Sequence, residues 1–258
     1  MDIAKEIGPV TNIIYQSTRG GLFDLPAVHL PENGVRVGEI ASIELQEGNH
    51  RKNGSINGND EPLPLTLHLK SGQKLCGIHR IILCTGYHMT LPFLGQYHQD
   101  YTRPDDASET VLVTDGTMVH NLYYDIFYIP DPTLAFVGIP YYTATFSLFE
   151  FQAIVVAAVF SGVARLPSQA EMRAAYQERV RQQGSGKRFH SLRDKEEFYV
   201  QDVLGWVNRD RAAGGLPPIE GHSEAWLAKK ESLRERIRSL FADDGSAKDE
   251  DSTLPATC

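Results

Sequence analysis

Cysteine is scarce in this chain. Its three copies, at positions 76, 84 and 258, are widely spaced, form no CxxC pair and have no histidine at zinc-ligand spacing. That argues against a metal site and for a reducing, intracellular compartment. Positive charge is also in deficit, with 25 Lys and Arg against 33 Asp and Glu, a net charge of -8 and a pI near 5.6. A nucleic-acid footprint needs clustered positive charge to displace counterions from phosphates, so nucleic acid is excluded as an expected partner. Long apolar runs are missing too. The longest, from Ala153 to Ala164, lies between Gln152 and Arg165 and falls short of the roughly 20 residues of a membrane span, so a buried helix is expected there. The opening Met1 to Ile7 is charged from its second residue and has no signal-like apolar core. These absences predict a cytoplasmic protein with no membrane attachment, and the sequence shows no internal repeat.

What is present is an ordinary globular composition: 258 residues, 41% hydrophobic, enough for one large or two small domains. The segment DIAKEI reads as a short helix stopped by Gly8-Pro9, and Val10 to Gln16 as a strand ending at Ser17-Thr18-Arg19-Gly20-Gly21. Helix, strand and Gly-ended loop make half of a Rossmann unit. Alternating apolar and polar residues predict strands over Val35 to Leu45 and Leu63 to Leu69, with Ser71-Gly72-Gln73 turning the chain back into a hairpin. Between them, Gln46 to Pro64 is rich in Asn, Gly and charge and reads as a surface insertion. The run from Ile78 to Cys84 is continuously apolar at its centre, as in a strand covered on both faces. Two further strands are expected at Val111 to Val113 and Leu134 to Ile139, and a buried helix from Ser147 to Gly162. Amphipathic helices follow, including Ala170 to Gln182 and Glu224 to Phe241, and the acidic end from Ala242 reads as a disordered tail.

Three blocks carry chemistry. In the first, DIAKEI is followed by Ser17-Thr18-Arg19 at a strand end, where an arginine can fork onto a 2′-phosphate; a turn-capping surface arginine is the alternative. In the second, Ile81-Ile82-Leu83-Cys84-Thr85-Gly86-Tyr87 precedes Leu91-Pro92-Phe93-Leu94. A glycine at the end of a parallel strand lets backbone approach a dinucleotide closely, although this tetrapeptide alone also fits an ordinary turn. The third runs Leu134-Ala135-Phe136-Val137-Gly138-Ile139-Pro140, then Phe149-Glu150-Phe151-Gln152-Ala153, then Leu166-Pro167-Ser168 and Met172. Thr143, Thr145 or Ser147 is positioned to cap the helix in this block, and a solvated or capping role stays open for Glu150 and Gln152.

In order and spacing these blocks resemble the flavin-containing monooxygenases of the fungal, dimethylaniline- and thiol-oxidising type, over about residues 1 to 200. Cys84 stands where the family's "ATGY" signature has alanine. The resemblance implies an α/β chain, an incomplete version of the family's two-dinucleotide-binding-domain, Rossmann-like flavoprotein fold with C-terminal helices. It implies a partial NADPH-binding domain with a strand insertion over 1–86, the C-terminal part of the FAD-binding domain over 87–200, a helical extension over 201–241 and the tail over 242–258. Ser17, Thr18, Arg19, Thr85, Gly86, Tyr87, Gly138, Glu150 and Gln152 are then cofactor-binding candidates, with the helix after Gly138 approaching the flavin ring. A complete family member passes hydride from NADPH to FAD and uses O2 to place one oxygen on a soft nucleophile such as an amine or sulfide, so the partner expected is a small nucleophilic molecule. That chemistry belongs to the cofactor, and the resemblance names no catalytic side chain.

The departure from the pattern is the phosphate cradle. No GxGxxG occurs in the 258 residues, so both FAD and NADPH lack the glycine turn and helix N-terminus that hold a pyrophosphate. Two expectations follow: a truncated monooxygenase inactive as this polypeptide alone, or a cofactor-free remnant that acts as a binding protein. Other candidates are weaker. Gly184-Ser185-Gly186-Lys187 is followed by arginine and does not follow a strand; His88, His120 and His190 have no nucleophile at a family spacing and read as structural or solvated. The sequence carries no signal for substrate identity or oligomeric state.

Overall fold

A computed structural model describes residues 2–19, 27–46 and 61–242. The chain forms two compact units, one gathering residues 1–84 and 228–258, the other residues 85–227.

In the first unit, helix α1 (Asp2–Ile7) ends in a 3-10 turn at Gly8–Val10, as Gly8-Pro9 predicts. Asn33 fixes that turn by donating to the carbonyls of Gly8 at 3.0 Å and Thr11 at 2.8 Å. Strands β1 (Ile14–Ser17) and β2 (Gly34–Val37) pair in parallel, with Ile14 opposite Gly34. Only glycine fits at position 34, because an added Cβ would sit 2.8 Å from the Leu30 side chain and 3.0 Å from the Pro31 carbonyl. The single strand expected from Val35 to Leu45 is two. It breaks at Gly38, after which β3 (Ile40–Leu45), β4 (Leu65–Leu69) and β5 (Lys74–Leu75) form an antiparallel meander. Its hairpin turns at Gly72, with φ +91°, where the Gly72 N–H bonds the Leu69 carbonyl. Val37, Leu65, Leu67, Leu69 and Leu75 make the core of this unit.

The expected strand from Ile78 to Cys84 does not form. No strand is formed past Ile78, and Ile81, Ile82 and Leu83 are 38%, 54% and 80% exposed. The apolar composition is real, but strand structure requires a neighbouring strand to take its N–H and C=O groups, and none of the described strands pairs with it. The insertion read between Gln46 and Pro64 lies mostly at 47–60, outside the described residues, as does the tail beyond 242.

The second unit is built on tight turns and helices. The expected strands at Val111 to Val113 and Leu134 to Ile139 reduce to isolated bridges, Val113 to His98 and Val119, and Ala135 to Phe127. The regular pairing is instead a two-residue hairpin, β6 (Leu122–Tyr123) with β7 (Phe127–Tyr128), turned by Tyr124 and Asp125 at φ +53° and +58°. Sharp turns at Asp131 to Thr133 and at Gly138 (φ +97°) leave too little straight chain for longer ladders.

Helix α2 (Thr145–Phe160) buries Leu148, Gln152, Val155 and Ala158 on one helical face and leaves Phe146, Glu150, Ala153, Ala157 and Phe160 exposed on another. The expected buried helix is therefore buried along one face. It packs against α4 (Glu196–Ala213), whose Tyr199, Val200, Val203, Leu204, Trp206 and Val207 complete the main core. Between them, α3 (Gln169–Gln183) starts with a capping box: Ser168 Oγ accepts from the Glu171 N–H, and the Ser168 N–H donates to the Glu171 carboxylate at 2.8 Å. Helix α5 (Glu224–Ala242) follows.

Candidate functional site

At the C-terminal end of β1, Ser17 Oγ donates to the Gly38 carbonyl at 3.0 Å and the Thr18 N–H to the Val37 carbonyl at 3.1 Å. Both residues are tied to the strand crossing beside them, and Arg19 follows with its side chain exposed. The end of a parallel strand is where α/β sheets meet a nucleotide, and Arg19 occupies it.

Thr85, Gly86 and Tyr87 lie on the second unit in an open stretch. Gly86 has φ +88°, a region that disfavours other residues, and an added Cβ would meet nothing within 4 Å. Conformation rather than crowding by this chain requires glycine there. Tyr87 is wholly exposed, and Cys84 just before it is a free, exposed thiol.

Gly138 is different. Its φ is +97° and a Cβ would fall 2.8 Å from the Phe149 ring. Its N–H donates to Gln152 Oε1 at 2.9 Å, Gln152 Nε2 donates to the Tyr199 hydroxyl at 2.9 Å, and that hydroxyl donates to the Tyr124 carbonyl at 2.6 Å. Tyr124 in turn donates its hydroxyl to Asp202. Burial pushes both phenols up, so they remain neutral donors. Gln152 is thus an interior brace for the Gly138 turn, fully buried and with both ends of its amide engaged. Glu150, two residues earlier, is exposed.

The start of α2 lies just beyond this turn. The capping residue is Ala144, which has no side-chain acceptor, so none of Thr143, Thr145 and Ser147 caps the helix. The Ala144 N–H instead meets both carboxylate oxygens of Glu196, at 3.2 and 3.1 Å, from the buried first residue of α4. A carboxylate at this end is favoured by the helix dipole. Ser147 Oγ lies 3.2 Å from His222 Nδ1, and the His222 ring stacks on Trp226 at 3.5 Å. Thr145 and Phe146 at the helix tip are exposed.

Beneath lies a buried ionic cluster. Asp125 accepts from both Arg179 terminal nitrogens, at 2.7 and 2.8 Å, and from His190 Nδ1 at 2.8 Å. Burial opposes ionisation of Asp125, but the charges of His190 and Arg179 overcome it and bring the carboxyl down to about 2. His120, hydrogen-bonded to Thr114 at 2.8 Å, is pushed down to about 4 by burial and by His190. His190 and His120 are therefore interior residues, and the Thr114 hydroxyl on His120 is buried with it. Among the described residues no group of three or more His, Cys, Asp or Glu could hold a metal ion.

The braced Gly138 turn and the start of α2, with the Glu196 carboxylate on its Ala144 N–H, lie together in the second unit.

No family model matches the chain. It is, however, 56% identical over 239 residues to flavin-containing monooxygenase ustF2 of Aspergillus flavus, covering 93% of this chain and 48% of that protein. The chain is homologous to flavin-containing monooxygenases. A second flavin-containing monooxygenase of that fungus, ustF1, is 39% identical over 241 residues, covering 93% of the chain and 43% of the relative. The fold agrees: S-allyl-L-cysteine S-oxygenase from Allium sativum superposes with a TM-score of 0.61 at 21% identity, over 94% of this chain and 48% of that one. As a homologue of flavin-containing monooxygenases, the chain spans about half the length of the curated relatives it matches. The expected α/β class stands, and the kinship agrees with the resemblance read from the three sequence blocks.

Signals for two contributors were absent from the local sequence. Glu196 reaches the α2 tip from 52 residues away, and Asp125 meets partners 54 and 65 residues on. No spacing rule connects such positions.

Proposed function

We propose that this chain is the flavin-ring and 2′-phosphate side of an FAD- and NADPH-dependent monooxygenase that places one oxygen from O2 on a soft nucleophile, an amine or a sulfide. The observation that carries this reading is the 56% identity across 93% of the chain to a flavin-containing monooxygenase. FAD supplies the redox chemistry and the activated oxygen when bound. In this reading the α2 tip, held by Glu196 and the Gln152–Tyr199 brace, orients the ring. Gly86 leaves room for backbone approach, and Arg19 selects NADPH by pairing with its 2′-phosphate. The reading keeps the protein cytoplasmic; among the described residues no helix is long and apolar enough to cross a membrane.

The absence of any GxGxxG favours a second reading for this polypeptide by itself, a cofactor-free binding protein. Absorbance decides between them. The purified chain alone is expected to be colourless and not to oxidise NADPH, whereas stoichiometric FAD would reject the cofactor-free reading outright. In a form of the protein that holds flavin, Arg19→Ala should raise the KM for NADPH far more than that for NADH. Equal effects on both would reject the 2′-phosphate role.

A further inference from the structure

The turn between β6 and β7 carries an inference about one-electron chemistry. A two-residue hairpin loop with positive φ at both residues favours Asn and Gly. Here the two are Tyr124 and Asp125, at φ +53° and +58°. A bulky side chain in that region is strained, and such strain gathers where it places a functional group. What this turn places is a phenol at the centre of an aromatic cluster. The Tyr124 ring stacks on Trp206, with centroids 6.0 Å and planes 5° apart, and meets Tyr123 edge-on at 4.7 Å and Tyr199 edge-on at 6.1 Å. Packing alone would be served by phenylalanine. The proton sets Tyr124 apart from its neighbours. The Trp206 indole N–H donates to the Arg165 carbonyl at 3.1 Å and the Tyr199 hydroxyl to the Tyr124 carbonyl at 2.6 Å, and a backbone carbonyl is no base. The Tyr124 hydroxyl donates to the carboxylate of exposed Asp202. A phenol gives up an electron far more readily when its proton can pass at once to a base within hydrogen-bond reach. Burial keeps this phenol neutral, so the proton is there to move.

We propose that Tyr124 is a redox-active tyrosine, which gives one electron to a one-electron oxidant and its proton to Asp202, and that Trp206 and Tyr199 pass the oxidising equivalent between it and the Gly138 brace. The phenolic O–H bond breaks, an O–H bond forms on the Asp202 carboxylate, the oxidant is reduced by one electron, and a neutral phenoxyl radical remains on Tyr124. A one-electron reductant of the ascorbate class restores the phenol, the proton returning from Asp202. Because Tyr199 also holds Gln152, which braces Gly138, the rings lead from that turn to the exposed carboxylate. In a monooxygenase they drain oxidising equivalents that misfired oxygen chemistry leaves inside the protein. That use rests on the monooxygenase reading; the oxidation of Tyr124 does not.

The experiment uses the full chain with Tyr87→Phe, Tyr101→Phe and Tyr142→Phe, because those three rings are exposed and would react directly. Tris(bipyridine)ruthenium(III), generated by a laser flash, is the oxidant, and radicals are followed by transient absorption and electron paramagnetic resonance. This background chain should give a phenoxyl radical. Adding Tyr124→Phe, which keeps the ring and loses the hydroxyl, should lower the phenoxyl yield at least fivefold. Adding Asp202→Asn, at an exposed position, should leave thermal melting unchanged and slow radical formation at least tenfold. An undiminished phenoxyl yield in Tyr124→Phe would overturn the assignment, as would an Asp202→Asn chain that forms the radical at the background rate. The relay has its own readout: in Tyr124→Phe an indole radical should replace the phenoxyl and vanish when Trp206→Phe is added, and no indole signal would overturn the passage between the rings. Absorbance of bound flavin is measured separately. A Tyr124 radical in a chain that never takes up flavin upholds the redox site and rejects only its use in a monooxygenase; flavin uptake without a Tyr124 radical does the reverse.

Discussion

Replacing Asp125 with asparagine tests the core of the second unit most directly. The carboxylate is wholly buried and receives three charge-assisted or imidazole hydrogen bonds, two from Arg179 and one from His190. Asparagine keeps one acceptor oxygen but turns an NH2 toward groups that are themselves donors, and it leaves the Arg179 charge uncompensated. Breaking a buried ion pair from one side costs about 3–5 kcal/mol. Ionisation gives an independent lower figure. The carboxyl drops from its ordinary 3.8 to about 2 on folding, a shift that contributes on the order of 2–3 kcal/mol. The substitution exceeds this because it also leaves donors unsatisfied. In urea, with a slope of about 2 kcal/mol per molar, the midpoint of the second unit should fall by roughly 1.5–2.5 M. The sign with pH follows from a folded value below the unfolded one. The ionic contribution is complete above 3.8 and fades as pH falls toward 2, so the gap between wild type and Asp125→Asn should narrow there. A loss under about 1 kcal/mol near neutral pH, or a gap that does not narrow in acid, would refute the claim that ionic pairing at Asp125 holds this core.

The same glycine-to-alanine change should have opposite outcomes at two positions. Gly138→Ala places a Cβ 2.8 Å from the Phe149 ring at φ +97° and should cost about 1–3 kcal/mol in thermal unfolding; Gly95→Ala, where an added Cβ meets nothing within 4 Å, should be neutral or mildly stabilising. Tyr199→Phe removes a buried hydroxyl that accepts from Gln152 and donates to the Tyr124 carbonyl, and denaturant titration should show a loss of about 1–3 kcal/mol. An unchanged midpoint would mean that the Gly138 brace does not need that link. His120 is pushed down to about 4 from 6.5, so the unfolded chain binds a proton that the folded chain refuses between those values. Stability should therefore decline by about 3 kcal/mol as pH falls from 6.5 to 4. His120→Gln should flatten that part of the pH profile, and a profile unchanged by the substitution would place the titration elsewhere.

Local signals in the sequence were reliable where one short segment decides its own conformation. Gly8-Pro9 ends α1, and Ser71-Gly72 turns the meander. Helices α2, α3 and α5 begin and end within two residues of their expected bounds. The family, too, was legible, because three separated motifs keep their order and spacing.

Strands were the weaker reading, for a physical reason. A helix satisfies its own backbone, whereas a strand exists only if a neighbour takes its hydrogen bonds. Ile81 to Cys84, Val111 to Val113 and Leu134 to Ile139 all have strand composition, yet the first forms no strand and the others are held by isolated bridges.

The site divides along the same line. Sequence alone determined the residue types at the end of β1 and after the apolar run, Arg19 and Gly86, the glycine at 138, and the lack of any glycine-rich phosphate loop in these residues. Tertiary structure alone decided that Gln152 is spent inside the protein as a brace, that Glu196 rather than a nearby Thr or Ser holds the α2 tip, and that Asp125, Arg179 and His190 are one buried cluster. Those contacts join residues 14 to 65 positions apart. Only the folded chain brings them together, because hydrogen bonding and charge act through space and not along the sequence.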